Sequence, residues 1–338
     1  MLNNKYGCHH GSAKGNSVHL DSIPIIFCHV GSSEYLWRTL GCASITNPNV
    51  RRVLIGDKAN EKVAKSYGWL HIDISDLFSD RIQEFNARFV PISGAEHRNY
   101  RGDFFWLKFV FLRWFAVEEY CRRQGISEFF HFDSDTMILT ELAQFVTSLR
   151  QLDGTCQCNG ICLNGYVKFN TLFRYNTHTL DLFSNEHFLQ NQREEFDSIN
   201  PGFAFTEMRA FRDFLSCDGS DDLEIKHLEN LLDNWWFDDA IMQEDSFAMA
   251  RVPFWSGRIK RIYSRSGVIF GSHKEEGEIR FATLNLSWVP DHFFDWPFEV
   301  ILNQSTRSFK WSLHLICMNF VAKTRMIISG ILGIVKSV

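Results

Sequence analysis

No run of apolar residues in this 338-residue chain reaches the roughly 18 that a membrane span requires. Residues 1–22, MLNNKYGCHHGSAKGNSVHLDS, lack the apolar centre of a secretion signal. They read as a flexible tail, in which His9, His10 and His19 bind metal only adventitiously. Both absences point to the cytoplasm and leave the sequons at Asn285 and Asn303 without meaning. Positive charge is not in excess either: the formal net charge of -5 argues against a general nucleic-acid binder. The nine cysteines are odd in number and irregular in spacing, which suits reduced thiols better than a disulfide framework. Cys156, Cys158 and Cys162 form a C-x-C-x3-C cluster, whereas zinc sites prefer C-x2-C pairs and four ligands. Ordinary buried thiols are expected there.

What the chain has in quantity is core material. It is 45% hydrophobic and 15% aromatic, with 32 Phe and 10 Trp. The length suits one large domain or two small ones. IPIIFCHVG (23–31) reads as a buried strand, and RRVLIGD (51–57) and WLHIDI (69–74) as a second and third strand, with helices over 34–46 and 58–67 between them. That alternation predicts an α/β fold with a mostly parallel sheet. Ligands in such sheets bind beyond the carboxyl ends of the strands, where His29, Val30, Gly31 and Asp57 fall. Residues 103–124 predict a helix that is apolar almost all round, capped by Asp103 and closed by Arg122, Arg123 and Gly125. Residues 154–176 look strand-rich; 178–195 and 205–216 look helical. Beyond Glu299 no acidic residue occurs, while Arg307, Lys310, Lys323, Arg325 and Lys336 alternate with apolar runs. A tail over 301–338 of this kind suits a basic amphipathic helix on an anionic membrane, or one docked on its own domain.

The stretch FFHFDSDTMIL (129–139) sets two carboxylates, Asp133 and Asp135, inside an apolar run. On a strand, residues i and i+2 share a face. Two carboxylates that close repel unless a cation lies between them. Mg²⁺ or Mn²⁺ removes the conflict and is commonly shared between carboxylates and phosphates. A second acidic group, WWFDDAIMQEDSFAMARV (235–252), gathers Asp238, Asp239, Glu244 and Asp245 beside Trp235 and Trp236. It offers a proton acceptor for a transfer reaction, or simply an acidic helix start.

IPIIFCHVG, RRVLIGD and FFHFDSDTMIL together resemble the nucleotide-binding half of a GT-A glycosyltransferase. The resemblance covers roughly residues 23–300 and implies a Rossmann-like sandwich with a nucleotide-binding half (23–140) and an acceptor half (141–300). It implies that Asp133 and Asp135 hold Mn²⁺ or Mg²⁺ against the diphosphate of a nucleotide-sugar donor. His29, Val30, Gly31, Asp57 and Ser134 would line the nucleoside side. Lys108, Arg101 or Arg113 would meet the phosphates, or serve as plain ion-pair partners. Gln243-Glu244-Asp245 resembles the x-E-D motif of inverting members, which makes Asp245 the leading base, with Asp239 and Glu244 behind it. If the enzyme retains configuration, the departing diphosphate takes the proton instead. Related sequences carry a metal-binding histidine where this chain has Asn285, in IRFATLNLSW (279–288). His273 and His292 are nearby alternatives. Tyr166 and Asn170 in GYVKFN are weaker candidates for sugar contacts.

The implied activity is transfer to a glycan or lipid-linked hydroxyl, at the inner face of a membrane. Two other readings stand beside it. A haloacid-dehalogenase-type phosphatase also uses D-x-D after an apolar strand, but Met137 stands where such enzymes carry Thr or Val. A non-catalytic nucleotide-sugar-binding protein is the other.

Overall fold

The computed structural model describes residues 23–97, 104–217, 220–244, 246–252 and 255–305. The apolar runs near the start form neighbouring parallel strands. β1 (Ile25–Cys28) lies between β2 (Arg52–Gly56) and β4 (Glu128–His131), and β3 (Leu70–Asp73) pairs with β2. A strand covered on both faces has no polar side to show. Accordingly Ile25, Ile26, Phe27, Val53, Leu54 and Ile55 are all fully buried. The crossovers are helical: α1 (Leu36–Thr46) and α2 (Lys58–Ser66), then α3 (Asp80–Arg88) and the long α4 (Phe105–Gln124). Asp57 caps α2 by accepting the Ala59 N–H at 3.0 Å, and Ser79 caps α3 by accepting that of Ile82 at 3.3 Å.

The sheet continues through β7 (Cys162–Lys168), β6 (Gly154–Gln157) and β8 (Ile225–His227), in the order β3-β2-β1-β4-β7-β6-β8. β7 runs antiparallel to β4 and β6; the other pairs are parallel. The fold class is thus α/β with a mostly parallel central sheet. The second sheet is antiparallel and was not foreseen. β12 (Ile262–Arg265), β13 (Val268–His273), β14 (Gly277–Asn285) and β5 (Thr136–Ile138) lie in that order, and β9 (Trp235–Phe237) joins β14 in parallel.

Helix α4 is packed nearly all round, as its composition predicts. Leu107, Phe111, Trp114, Phe115, Ala116, Val117 and Cys121 are buried. Phe115 stacks on Phe85 with ring centroids 4.8 Å apart. Each such buried ring contributes about 1.5–3 kcal/mol. Gly125, at φ 63, turns the chain out of the helix and returns its N–H to the Arg122 carbonyl. The expected Asp103 cap lies outside the described residues.

One boundary moves. The strand-rich stretch ends at Lys168, and α6 (Phe169–Ser184) begins at once. Leu172, Tyr175, Thr179, Leu180 and Phe183 are buried at helical spacing. Asp153 fixes the change of direction: its carbonyl accepts from Lys168 N (3.1 Å) and Thr171 Oγ1 (2.8 Å).

The last described helix, Asp295–Ser305, buries Ile301 and ties Asp295 to Arg38 of α1. Among the described residues no helix is long and apolar enough to cross a membrane. The expected tail over 1–22 lies outside the described residues; of the expected tail over 301–338, residues 301–305 belong to this last helix and the remainder lies outside the described residues.

Candidate active site

β4 pairs in the first sheet and β5 in the second, so the backbone between them must leave the extended conformation. The two aspartates therefore sit in a turn and not on a strand. Asp133-Ser134-Asp135 is closed by the Thr136 N–H donating to the Asp133 carbonyl at 2.8 Å.

The turn treats its carboxylates differently. Asp133 accepts from Arg113 Nη1 at 2.5 Å, and Arg113 Nη2 donates to Glu207 Oε1 at 2.9 Å. Arg113 stands on α4 and is itself buried. Burial pushes the Asp133 acid upward, but the guanidinium outweighs it and holds Asp133 below the ordinary carboxylate range. Burial would likewise lower Arg113; its two carboxylates raise it instead. For Glu207 burial wins over Arg113, and its pKa rises to about 7. Arg113 is thus an ion-pair anchor and not a ready phosphate contact.

Among the described residues Asp135 makes no such ion pair. Its Oδ2 accepts from Ser287 Oγ at 2.9 Å. Its Oδ1 is buried and has no hydrogen-bond partner among the described residues. Burial, followed by the nearby Asp133 charge, pushes its pKa up to about 6. A buried, under-satisfied carboxylate oxygen calls for an explanation, and an ion is one of the few available.

The carboxyl ends of β1 and β2 meet this turn. Ser134 Oγ bonds His29 Nδ1 at 2.9 Å and Tyr35 Oη at 3.3 Å. Gly31 takes φ 92, which favours glycine, and so aims its N–H at Asp57 Oδ2, 2.8 Å away. Asn60 donates to the His29 carbonyl at 2.7 Å. Val30 is half-buried between these contacts. Beside them lies a cavity of about 420 Å³, lined by Ser33, Trp37, Asn60 and Lys62.

On the other side β14 returns to the turn. Asn285 pairs with Thr136, and Leu286 N–H donates to the Asp135 carbonyl at 3.2 Å. Asn285 Oδ1 accepts from Ser287 N (3.0 Å) and lies 2.6 Å from Ser287 Oγ, whose single hydrogen is shared between it and Asp135 Oδ2. Asn285 Nδ2 donates to the Asp239 carbonyl at 2.8 Å. Asp238 and Asp239 are both fully buried. Asp238 Oδ1 accepts from Lys260 Nζ at 2.7 Å. Asp239 Oδ2 accepts from Asn159 N at 2.7 Å and bonds His227 Nε2 at 2.8 Å.

Several expected residues stand elsewhere. His273 pairs with Gly277 at the opposite end of β14 from Asn285, and its Nδ1 accepts from Glu276 N at 3.0 Å. It is not brought to the acidic turn. Lys108 lies 5.8 Å from the Phe89 ring centroid. His292 packs on Phe293 with centroids 4.7 Å apart. Glu244 is exposed and pairs with Arg258 at 3.3 Å. Tyr166 is buried and donates to Glu128 at 2.6 Å; Asn170 is exposed on α6. Trp236 is buried and donates to Glu229 at 3.2 Å, whereas Trp235 packs edge-on against Phe145. Cys156 and Cys162 are buried free thiols, with Cys156 pushed up to about 12 by burial. Asp245 and Arg101 lie outside the described residues.

Sequence reasoning missed Glu207, Ser287, Asn159, His227 and Glu229. Ser287 stands two places after Asn285, so the alternation of a strand was a usable signal. Glu207 gave none, since it is 94 residues from Arg113.

No protein-family model matches the chain, and no curated protein does. Similar solved structures include mouse xyloside xylosyltransferase 1 in its apo form, at 11% identity and a TM-score of 0.41. That match covers 63% of this chain and 86% of the other. The PaToxG glycosyltransferase matches at 12% identity over 59% of this chain and 71% of its own, with a TM-score of 0.32. The bifunctional glycosyltransferase WbbM matches at 10% identity over 63% of this chain and 39% of its own, with a TM-score of 0.26. Likenesses this distant identify no family.

Two outcomes are expected. Arg113→Met leaves Glu207 buried and Asp133 half-buried without their cation and should cost about 3 kcal/mol in urea unfolding. Glu207, with a folded pKa raised from 4.5 to about 7, binds its proton more readily folded than unfolded. Its stabilising effect is present at low pH and is lost as pH rises through that window. The urea midpoint should therefore fall between about pH 5 and pH 8, and Glu207→Gln should flatten that fall.

Proposed function

We propose that the chain transfers a sugar from a nucleotide-diphosphate donor to a hydroxyl on a glycan or lipid-linked acceptor, with Mn²⁺ or Mg²⁺ at the acidic turn. The observation that carries this reading is Asp135, whose buried Oδ1 has no partner among the described residues at the junction of the two sheets. The donor set is oxygen only, which fits a hard cation. Asp135 would be the principal ligand, with Asp133 behind it in its ion pair with Arg113. A cation held there neutralises the charge that develops on a departing diphosphate.

His29, Val30, Gly31, Asp57 and Ser134 would line the nucleoside side. The support is their convergence at the carboxyl ends of β1, β2 and β4, beside the 420 Å³ cavity. In an inverting transfer Asp245 would take the acceptor proton. Its neighbour Gln243 donates to Asn159 Oδ1 at 3.0 Å, on the Asp239 side of the site. In a retaining transfer the departing diphosphate takes the proton. The basic segment beyond Ser305 would bring the site to an anionic inner membrane face. A phosphatase reading needs Asp133 as a free nucleophile, and Arg113 holds it.

The test is a thermal-shift and donor-hydrolysis screen with Mn²⁺ and a panel of nucleotide sugars. Asp135→Asn should lose both the metal-dependent stabilisation and hydrolysis; wild-type behaviour in that variant would end the proposal. Asp245→Asn should keep donor binding and lose transfer. Loss of donor binding would instead make Asp245 a structural residue.

A further inference from the structure

Beyond the acidic turn, β8 and β9 bring together three side chains that the proposed transfer does not use. His227 ends β8, Glu229 follows it, and Asp239 follows β9. One ligand atom from each lies within 4.8 Å of the other two. We propose that these residues form a second cation site, selective for a divalent transition metal of the zinc class. It is separate from the oxygen-only site at Asp135.

The donor set argues for the metal class. An imidazole and two carboxylates suit Zn²⁺ and its neighbours, whereas Mg²⁺ prefers oxygen and its own water. Asp239 supplies the second observation. Its side chain is fully buried, and its Oδ2 already serves Asn159 N and His227 Nε2. Its Oδ1 has no hydrogen-bond partner among the described residues. Orphaned buried carboxylate oxygens are rare and are commonly accounted for by an ion or water.

The surroundings hold Asp239 in place. Cys158, Asn159 and Gly160 take φ 54, 59 and 81, three left-handed residues in succession. That strained turn aims the Asn159 N–H at Asp239, and strain of this kind persists where a site needs it. Asn285 grips the Asp239 carbonyl from the other side. Lys260 is bonded to Asp238 at 2.7 Å and stands farther from Glu229, at 3.7 Å. Metal–ligand bonds of about 2.0–2.2 Å put tetrahedral ligand atoms about 3.4 Å apart, so the cluster must draw inward. His227 can make that movement: its side chain is 36% exposed, while that of Asp239 is 0% exposed. The exposed side leaves room for water or a substrate oxygen as a further ligand, as open zinc sites have. Through Asn285 and Ser287 this site is linked by hydrogen bonds to Asp135.

The experiment uses the full chain, stripped with chelator and titrated with Co²⁺ as a visible probe for Zn²⁺. The expected result is one equivalent of bound Co²⁺ with d–d bands more intense than those of the hydrated ion, displaced by Zn²⁺ and not by Mg²⁺. His227→Gln keeps an N–H to offer Asp239 but loses the imidazole ligand, and should weaken binding by more than about tenfold. Glu229→Gln should weaken it as well, with circular dichroism showing each variant folded. Asp135→Asn should leave the spectrum unchanged. No intense band, or a band kept in His227→Gln and lost in Asp135→Asn, would overturn the inference while leaving the acidic turn as a metal site. No Mn²⁺ response in the wild-type chain, with the Co²⁺ spectrum intact, would do the reverse.

Discussion

A single guanidinium lets the acidic turn exist where it does. Asp133 and Glu207 are drawn into a region lined by Trp114, Tyr175 and Phe211, and Arg113 meets both at 2.5 and 2.9 Å. Without that cation, a buried and a half-buried carboxylate would be left unpaired in a poorly solvated region. With it, Asp133 stays ionised, and its charge adds to burial in raising the pKa of Asp135 despite the opposing pull of Arg113. The asymmetry has a chemical consequence. One aspartate is neutralised from within the fold, and the other is left to be neutralised by whatever the open side provides.

The architecture aims the site by simple means. Parallel β1, β2 and β4 end together, so the loops carrying His29, Asp57 and Ser134 converge. The chain then crosses into the second sheet, and β14 comes back antiparallel to β5. That return sets Ser287 against Asp135 and Asn285 against Asp239. The Asp135 carboxylate and the Asp239 backbone carbonyl are thus joined by a short hydrogen-bonded path through Ser287 and Asn285. In a low-dielectric setting such a path is strong when complete and costly when broken.

Much of the first sheet was legible in the sequence. Strands buried on both faces read as unbroken apolar runs, and the all-round apolar pattern of α4 matched its burial. The position of Asp133 and Asp135 beyond a buried strand was equally plain. The second sheet was hard to read at β5 and β9, which are three residues each and have no period to detect. The pairing of Arg113 with Glu207 and the meeting of His227 with Asp239, which depend on strand order across the sheet, were not legible. Asn285 was picked out for its place in the chain. The fold engages its amide with Ser287 and the Asp239 carbonyl.

The central claim is that Asp135 is a cation ligand in wait for a diphosphate. Its most direct test follows free Mn²⁺ by electron paramagnetic resonance, as the metal is titrated into chelator-treated chain with and without a nucleoside diphosphate. The account predicts a bound ion that tightens when the diphosphate is present, is lost in Asp135→Asn and is retained in His227→Gln. Diphosphate-dependent binding that survives Asp135→Asn unchanged would contradict it.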